Sequence, residues 1–403
     1  MKKVVLVLAF VLVAWGGYHL FSQEKHEVTV TNIAVPLTVL EGDRFVPSLA
    51  LDDLELTEEG IPQKVLALYL ISPAGVEKMG AEQEFSPPLS RNYFLLFQIT
   101  EYNPKLAEAI NLLFQQGIRP GDRLILHTPR QNYALSSQAL ASRPSHDLAK
   151  EMNDLLKKDT KIGAGQYNSL LNDLKRMARD ISGTGRMEVE DSDALTSASG
   201  LEVLLSRYKE TLGQMERERL MDEKKILGFA GQLKNVEGQK NVFFIYQREF
   251  RPEIQHGVVN KMISSYQDRP DILASVQELF LIYARDTSLN PDRVKKAFSD
   301  AGISLYFIFM NKEPQNAGGI TMREQSEDVF RVFSEVAQAT GGTVDTSQNP
   351  AVGFQRALER SRAYYLLYYS PENYRKDGQF KTITVRAKNP NYKILHRLGY
   401  YAN

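Results

Sequence analysis

The feature that most constrains this chain is an unbroken apolar run, YFLLF at Tyr93–Phe97, with Arg91 and Asn92 before it and Gln98, Thr100 and Glu101 after it. A strand lying on one exposed face would alternate apolar and polar residues. A run without alternation fits a strand covered on both faces, the usual state of a strand in a parallel sheet. Asn103-Pro104 follows at once. Asn caps free backbone N–H groups and Pro suits the first helical position, so a helix is expected to start there. In open α/β sheets ligands bind at the carboxyl ends of strands. Gln98–Tyr102 is therefore the first place to look for function.

The same rhythm recurs. Arg123–His127, Asn241–Tyr246, Ile303–Met310 and Thr343–Asp345 read as strands. Helices are expected over Pro104–Gln116, from Asn290-Pro291 to Gly302, from about Met322 to Thr340, and after Asn349-Pro350. Alternating strands and helices predict an α/β, Rossmann-like, doubly wound and mostly parallel sheet over residues 91–362. Residues 142–238 break the rhythm with helical patterning alone (Leu148–Lys158, Tyr167–Arg179, Gly200–Val236) and predict a helical insertion, a lobe or arm. Within it, Glu216–Lys225 mixes both charge signs and reads as a solvated helix face. Gly183–Asp193 reads as a loop.

On either side the pattern is β. Glu27–Ile71 carries short alternating stretches with turns at Glu41-Gly42-Asp43 and Glu58-Glu59-Gly60, and Ser72–Ser90, rich in Pro and Gly, reads as a linker. Ala363–Ser370 is apolar throughout, Phe380–Ala387 alternates, and Tyr392–Tyr401 makes a further strand. Residues 27–85 and 363–403 are thus expected to pair into one β-sandwich-like domain with the α/β domain inserted between them.

A chain of 403 residues exceeds one ordinary core. Lys and Arg number 49, as do Asp and Glu, so nothing in the charge calls for nucleic acid. There is no cysteine, which excludes disulfides, thiolate metal sites and cysteine nucleophiles. Lys2 and Lys3 precede an apolar core, Val4–Trp15, in the manner of an export signal over residues 1–22. An uncleaved anchor is the alternative, and Gly16, Gly17 and His19 weigh toward cleavage. The expected location is exported: periplasm, cell envelope or secreted, with the membrane touched only through that segment.

Four stretches together resemble the bacterial exported proteins with a von Willebrand factor A (VWA)-related domain, of the type abundant in acidobacteria. They are Leu54–Gln63; Gly238–Val242; Ala301–Tyr306 with Ala339–Gly342; and Tyr365–Pro371 with Asp377–Lys381 and Gly399–Ala402. The resemblance implies a VWA domain flanked by β segments and a role in binding proteins. Ligand-binding VWA domains carry Asp-x-Ser-x-Ser after the first strand, holding Mg²⁺ with roughly six oxygens at about 2.1 Å. Here the matching positions are Gln98, Thr100 and Tyr102, a degenerate adhesion site, and Gln247-Arg248 stands after a later strand. No cofactor or metal is expected. Thr100, Glu101, Tyr102, Arg248 and Glu249 form the candidate protein-contact edge.

His19, His26, His127, His146, His256 and His396 show no metal-ligand spacing, and the chain holds neither a G-x-S-x-G elbow nor a phosphate loop. No catalytic residues are assigned. The Tyr364, Tyr365, Tyr368, Tyr369, Tyr400 and Tyr401 cluster reads as packing. The first expectation is a non-catalytic, metal-independent binding or assembly module with a protein partner. The alternatives are an envelope component self-associating through the helical insertion, and a hydrolase with a site across domains.

Overall fold

The computed structural model describes residues 31–183, 198–219, 221–283, 289–315, 318–347 and 349–403. The export segment at residues 1–22 and nearly all of the 183–193 loop lie outside them.

Six strands form the central sheet: β1 Arg91–Gln98, β2 Arg123–His127, β3 Asn132–Leu135, β4 Gln239–Gln247, β5 Ile303–Met310 and β6 Thr343–Asp345. Their spatial order is three-two-one-four-five-six, parallel throughout except for the antiparallel edge strand β3. That is a doubly wound order, with the switch point between β1 and β4. The helices of eight or more residues among the described ones are, in chain order, α1 Lys105–Leu112, α2 Ser145–Gly163, α3 Gly165–Ile181, α4 Ala198–Arg219, α5 Glu223–Lys234, α6 His256–Ser265, α7 Pro270–Tyr283, α8 Pro291–Asp300, α9 Glu327–Ala339 and α10 Pro350–Arg362.

The YFLLF run explains the layering. Tyr93, Leu95 and Phe97 point to one face and pack with residues of α1, α2 and α10, including Ile110, Leu156 and Phe354. Phe94 points to the other and packs with residues of α5, α8 and α9, including Leu233, Phe298 and Phe333. Alternation along a strand, with both faces covered, leaves no polar position to spare. Asn290 and Asn349 cap α8 and α10, each accepting from backbone N–H groups with Pro next in sequence.

The segment 142–238 is not one arm. α2 and α5 belong to the layers on the sheet, and only α3 and α4 leave it. They join α6, α7 and a two-stranded antiparallel sheet of Phe250–Ile254 with Ile320–Glu324 in a separate core around Leu174, Tyr208, Met262 and Val276. This lobe therefore draws on three stretches of chain, and it stands at the carboxyl ends of β4 and β5. The helix expected from Met322 starts only at Glu327, because Ile320–Glu324 pairs as a strand. The lobe holds a buried pair, Arg251 Nη2 to Glu253 Oε1 at 2.5 Å, with Arg251 only 1% exposed.

The flanking segments form two sheets. One contains Ile33–Glu41 between Tyr364–Tyr369 and Tyr392–His396, continuing through Val65–Ser72 to Gly75–Ala81. The other contains Leu54–Glu58 with Ile61–Gln63, Phe380–Ala387 and Gly399–Tyr401. Val35, Leu37, Leu68, Leu367, Leu56 and Ile383 fill the space between. The expected linker Ser72–Ser90 is corrected in part: Gly75–Ala81 is a strand, and Ser72–Gly75 is the hairpin turn whose Pro and Gly suggested a linker. Tyr392–Tyr401 is two strands, one in each sheet. Among the described residues no helix is long and apolar enough to cross a membrane.

Candidate functional site

The carboxyl ends of β1, β4 and β5 meet at the switch point, and the loop after β1 is shaped by one side chain. Gln247, the last residue of β4, is buried. Its Oε1 accepts from the backbone N–H groups of Thr100 and Glu101, both at 3.0 Å, and from the Thr100 hydroxyl at 3.3 Å; its Nε2 donates to the Glu101 carbonyl at 3.2 Å. One amide thus satisfies the loop that leads from strand to helix.

The Thr100 hydroxyl also accepts from Lys312 Nζ at 2.8 Å. Lys312 lies just past the end of β5. Burial pulls its pKa below the usual lysine range, and the carboxylates of Glu101 and Glu249 oppose that shift. The Lys312 ammonium also faces the Tyr167 ring of α3, 6.0 Å from its centroid, so the lobe forms one wall of the site. Lys175, from the same helix, donates to Gln315 at 2.6 Å, and its pKa is lowered by burial and by Lys312.

The expected edge is brought together only in part. Thr100 and Tyr102 are half-buried and Glu101 is exposed. Tyr102 packs on the core of the α1 face. Arg248 turns toward Glu324, 3.1 Å away, and lies over the Phe309 ring. Glu249 is buried, and its N–H donates to Ser326 Oγ at 2.8 Å, so it is not part of an exposed surface. Gln98 is half-buried at the end of β1.

The donor set does not fit Mg²⁺. A divalent cation needs charged oxygens, and here a lysine ammonium bonds the one hydroxyl that remains of the motif. Among the described residues no group of three or more His, Asp or Glu side chains could hold a metal ion. Lys312 lies outside the expected edge, which is built from the exits of β1 and β4 alone. The signal was available: Asn311-Lys312 follows the third of three adjacent buried strands, and parallel neighbours end side by side.

His127 Nδ1–H donates to Asn132 Oδ1, 2.8 Å away, and the ring meets the Phe229 ring edge-on; burial lowers its pKa. Five of the six clustered tyrosines are buried, and the Tyr369 and Tyr400 hydroxyls both donate to Glu58 Oε2.

Neither a family model nor a curated protein matches this chain. Among solved structures, the human COPII-coat protein Sec24c is similar over 79% of this chain and 44% of its own, with 11% sequence identity and a TM-score of 0.29. The chain thus spans less than half the length of that protein chain.

Proposed function

We propose that this chain is a non-catalytic binding or assembly module outside the cytoplasm, built on a VWA-like α/β domain that engages a protein partner without a metal. The observation that carries the reading is the Lys312–Thr100 contact: the position where a metal-dependent relative would hold a cation is served by a cation of the chain's own. The doubly wound order over 91–362 and the four quoted stretches support the VWA-like assignment. The loop held by Gln247 presents Glu101 and the edge of Tyr102 outward, and these are the residues a partner would meet first. Export rests on the basic and apolar pattern of residues 1–22.

The test is a photo-crosslinking amino acid placed at Glu101 or Tyr102 in the source cell, with Arg123, at the opposite end of the sheet, as control. A discrete crosslinked protein from both edge positions and not from the control is expected. Crosslinking indistinguishable from the control at both positions sinks the reading.

A second reading has one observation in its favour. Val203, Ile263, Phe280 and Leu281, on α4, α6 and α7, are exposed apolar side chains of the lobe, with Leu281 69% exposed. Self-association through the lobe would cover them. Sedimentation of wild type against Leu281→Glu distinguishes the two: a monomeric wild type removes the second reading.

A further inference from the structure

The opposite end of the sheet carries a cleft of about 430 Å³ where the sandwich meets the amino ends of β4 and β5. Two cations stand side by side in its wall. Lys240, at the start of β4, is 8% exposed, and its Nζ donates to the Ala301 carbonyl at 2.7 Å. Arg397 donates through Nη2 to the Ala34 carbonyl at 2.8 Å. Gly302 separates α8 from β5 with a φ of +65°, and a Cβ there would lie 3.7 Å from Lys240 Nζ and 3.9 Å from Arg397 Nη1. Both charges therefore converge on one point beside a residue without a side chain.

Neither has a carboxylate at salt-bridge distance among the described residues. Asp300, the acidic side chain of the lining, is taken: Oδ2 is 2.7 Å from Lys234 Nζ, and Oδ1 accepts from the Tyr401 backbone N–H at 2.7 Å. Two buried polar atoms of lining residues have no protein partner, the donor Arg397 Nε and the acceptor Gln239 Oε1. Buried cations are costly unless paired, and buried donors and acceptors are costly unless bonded. An anion answers the first cost. An adjacent hydroxyl or amine on the same ligand answers the acceptor. The rest of the wall sets Ile33, Leu366, Tyr364 and Tyr400 beside the polar Asn32, Ser304 and Asn403.

We propose that this cleft binds a small organic carboxylate with a neighbouring hydrogen-bond donor and an apolar body, the carboxylate lying between Lys240 and Arg397. A planar carboxylate suits the guanidinium fork. The walls favour an apolar body over inorganic phosphate. The site lies at the far end of the sheet from Thr100 and is independent of the function proposed above.

Mandelate is a suitable probe, and mandelamide is its neutral counterpart of nearly the same shape. Calorimetric titration of the full mature chain is expected to show saturable binding of mandelate and at least tenfold weaker binding of mandelamide. Lys240→Met should weaken mandelate at least tenfold. Ser304→Phe keeps both cations, fills the cleft from β5 and should also abolish binding, so the test survives a poorly folded Lys240→Met. No heat up to 10 mM mandelate, equal binding of mandelamide, equal binding of inorganic phosphate, or unchanged binding by a folded Ser304→Phe variant would each overturn the proposal.

Discussion

The Lys312 ammonium lies 2.8 Å from the Thr100 hydroxyl, so a positive charge is built into the strand-end site rather than recruited to it. A bound ion at 100 times its dissociation constant would add about 2.7 kcal/mol of stability. Direct repulsion by Lys312 opposes such binding. The melting midpoint of the protein is therefore expected to be the same in chelator and in millimolar Mg²⁺ or Mn²⁺. A reproducible rise of several degrees would show that a carboxylate such as Glu101 rebuilds a metal site.

Gln247→Leu should loosen the loop after β1 without altering the sheet. Two backbone N–H groups lose their acceptor, and an unmade hydrogen bond at a partly buried donor costs about 1–3 kcal/mol. The expected loss is about 2 kcal/mol in urea unfolding. Amide exchange should accelerate at Thr100 and Glu101 and stay unchanged at Leu95. Equal protection of the loop in both proteins would show that Gln247 is not what holds it.

Gly342→Ala should be among the most damaging single-atom additions in the chain. A Cβ at Gly342 would come within 1.7 Å of the Leu305 carbonyl oxygen, so backbone must move between β5 and the start of β6. A loss above about 3 kcal/mol is expected, as for other steric overpacking at its severe end. A variant that melts within a degree of wild type would contradict the packing at that point.

Lys240→Met should change the pH dependence of stability. Burial first and Arg397 second lower the Lys240 pKa from 10.5 to about 8. Between pH 8 and 10.5 the unfolded chain holds this proton and the folded chain has lost it, so the Lys240 contribution to stability rises with pH in that window. Below pH 8 the folded protein carries the full cost of the buried charge. The variant should be the more stable protein at pH 7, and its advantage should shrink by at most about 1.4 kcal/mol per pH unit across the window. Tyrosines with raised pKa values act on both proteins alike and cancel in the difference. An advantage that does not change between pH 7 and 10 would refute the assignment.

Arg251→Met in the lobe leaves Glu253 buried without its close partner and should cost about 3–5 kcal/mol. Arg251→Met with Glu253→Leu should recover much of that loss, since an apolar pair of similar volume carries no desolvation cost. The comparison is read by urea unfolding of both variants, and a double variant no better than the single one would contradict it.

The long inner strands of the central sheet were legible because they are covered on both faces, whereas its edge strand Asn132–Leu135, largely uncovered, was not expected. Tyr93–Phe97, Val242–Tyr246 and Leu305–Met310 are apolar throughout, and Asn-Pro pairs mark α8 and α10. Gly75–Ala81 was not legible, because an exposed edge strand needs no apolar side chains and its own turn supplies Pro and Gly. Ile320–Glu324 was hidden by residues that suit a helix equally well, and its pairing with Phe250–Ile254 is a contact between distant segments. The same holds for the site: Gln247 and Lys312 reach Thr100 from 147 and 212 positions away, distances no local pattern encodes.

The nested arrangement of the sandwich has a consequence for how the molecule is made. Ile33–Glu41 pairs with Tyr364–Tyr369, and the Tyr365 hydroxyl donates to the Val46 carbonyl across 319 positions. During synthesis Ile33–Glu41 must wait for Tyr364–Tyr369, and Leu54–Glu58 for Phe380–Ala387, while the whole α/β domain emerges. Loop closure grows costly only slowly with length, so the wait is tolerated thermodynamically, but an open strand edge invites pairing with another chain. A domain that folds early and brings the two stretches together shortens that exposure. The α/β domain is then the clamp that closes the sandwich, and its folding rate sets how long the first strands remain available to the wrong neighbour.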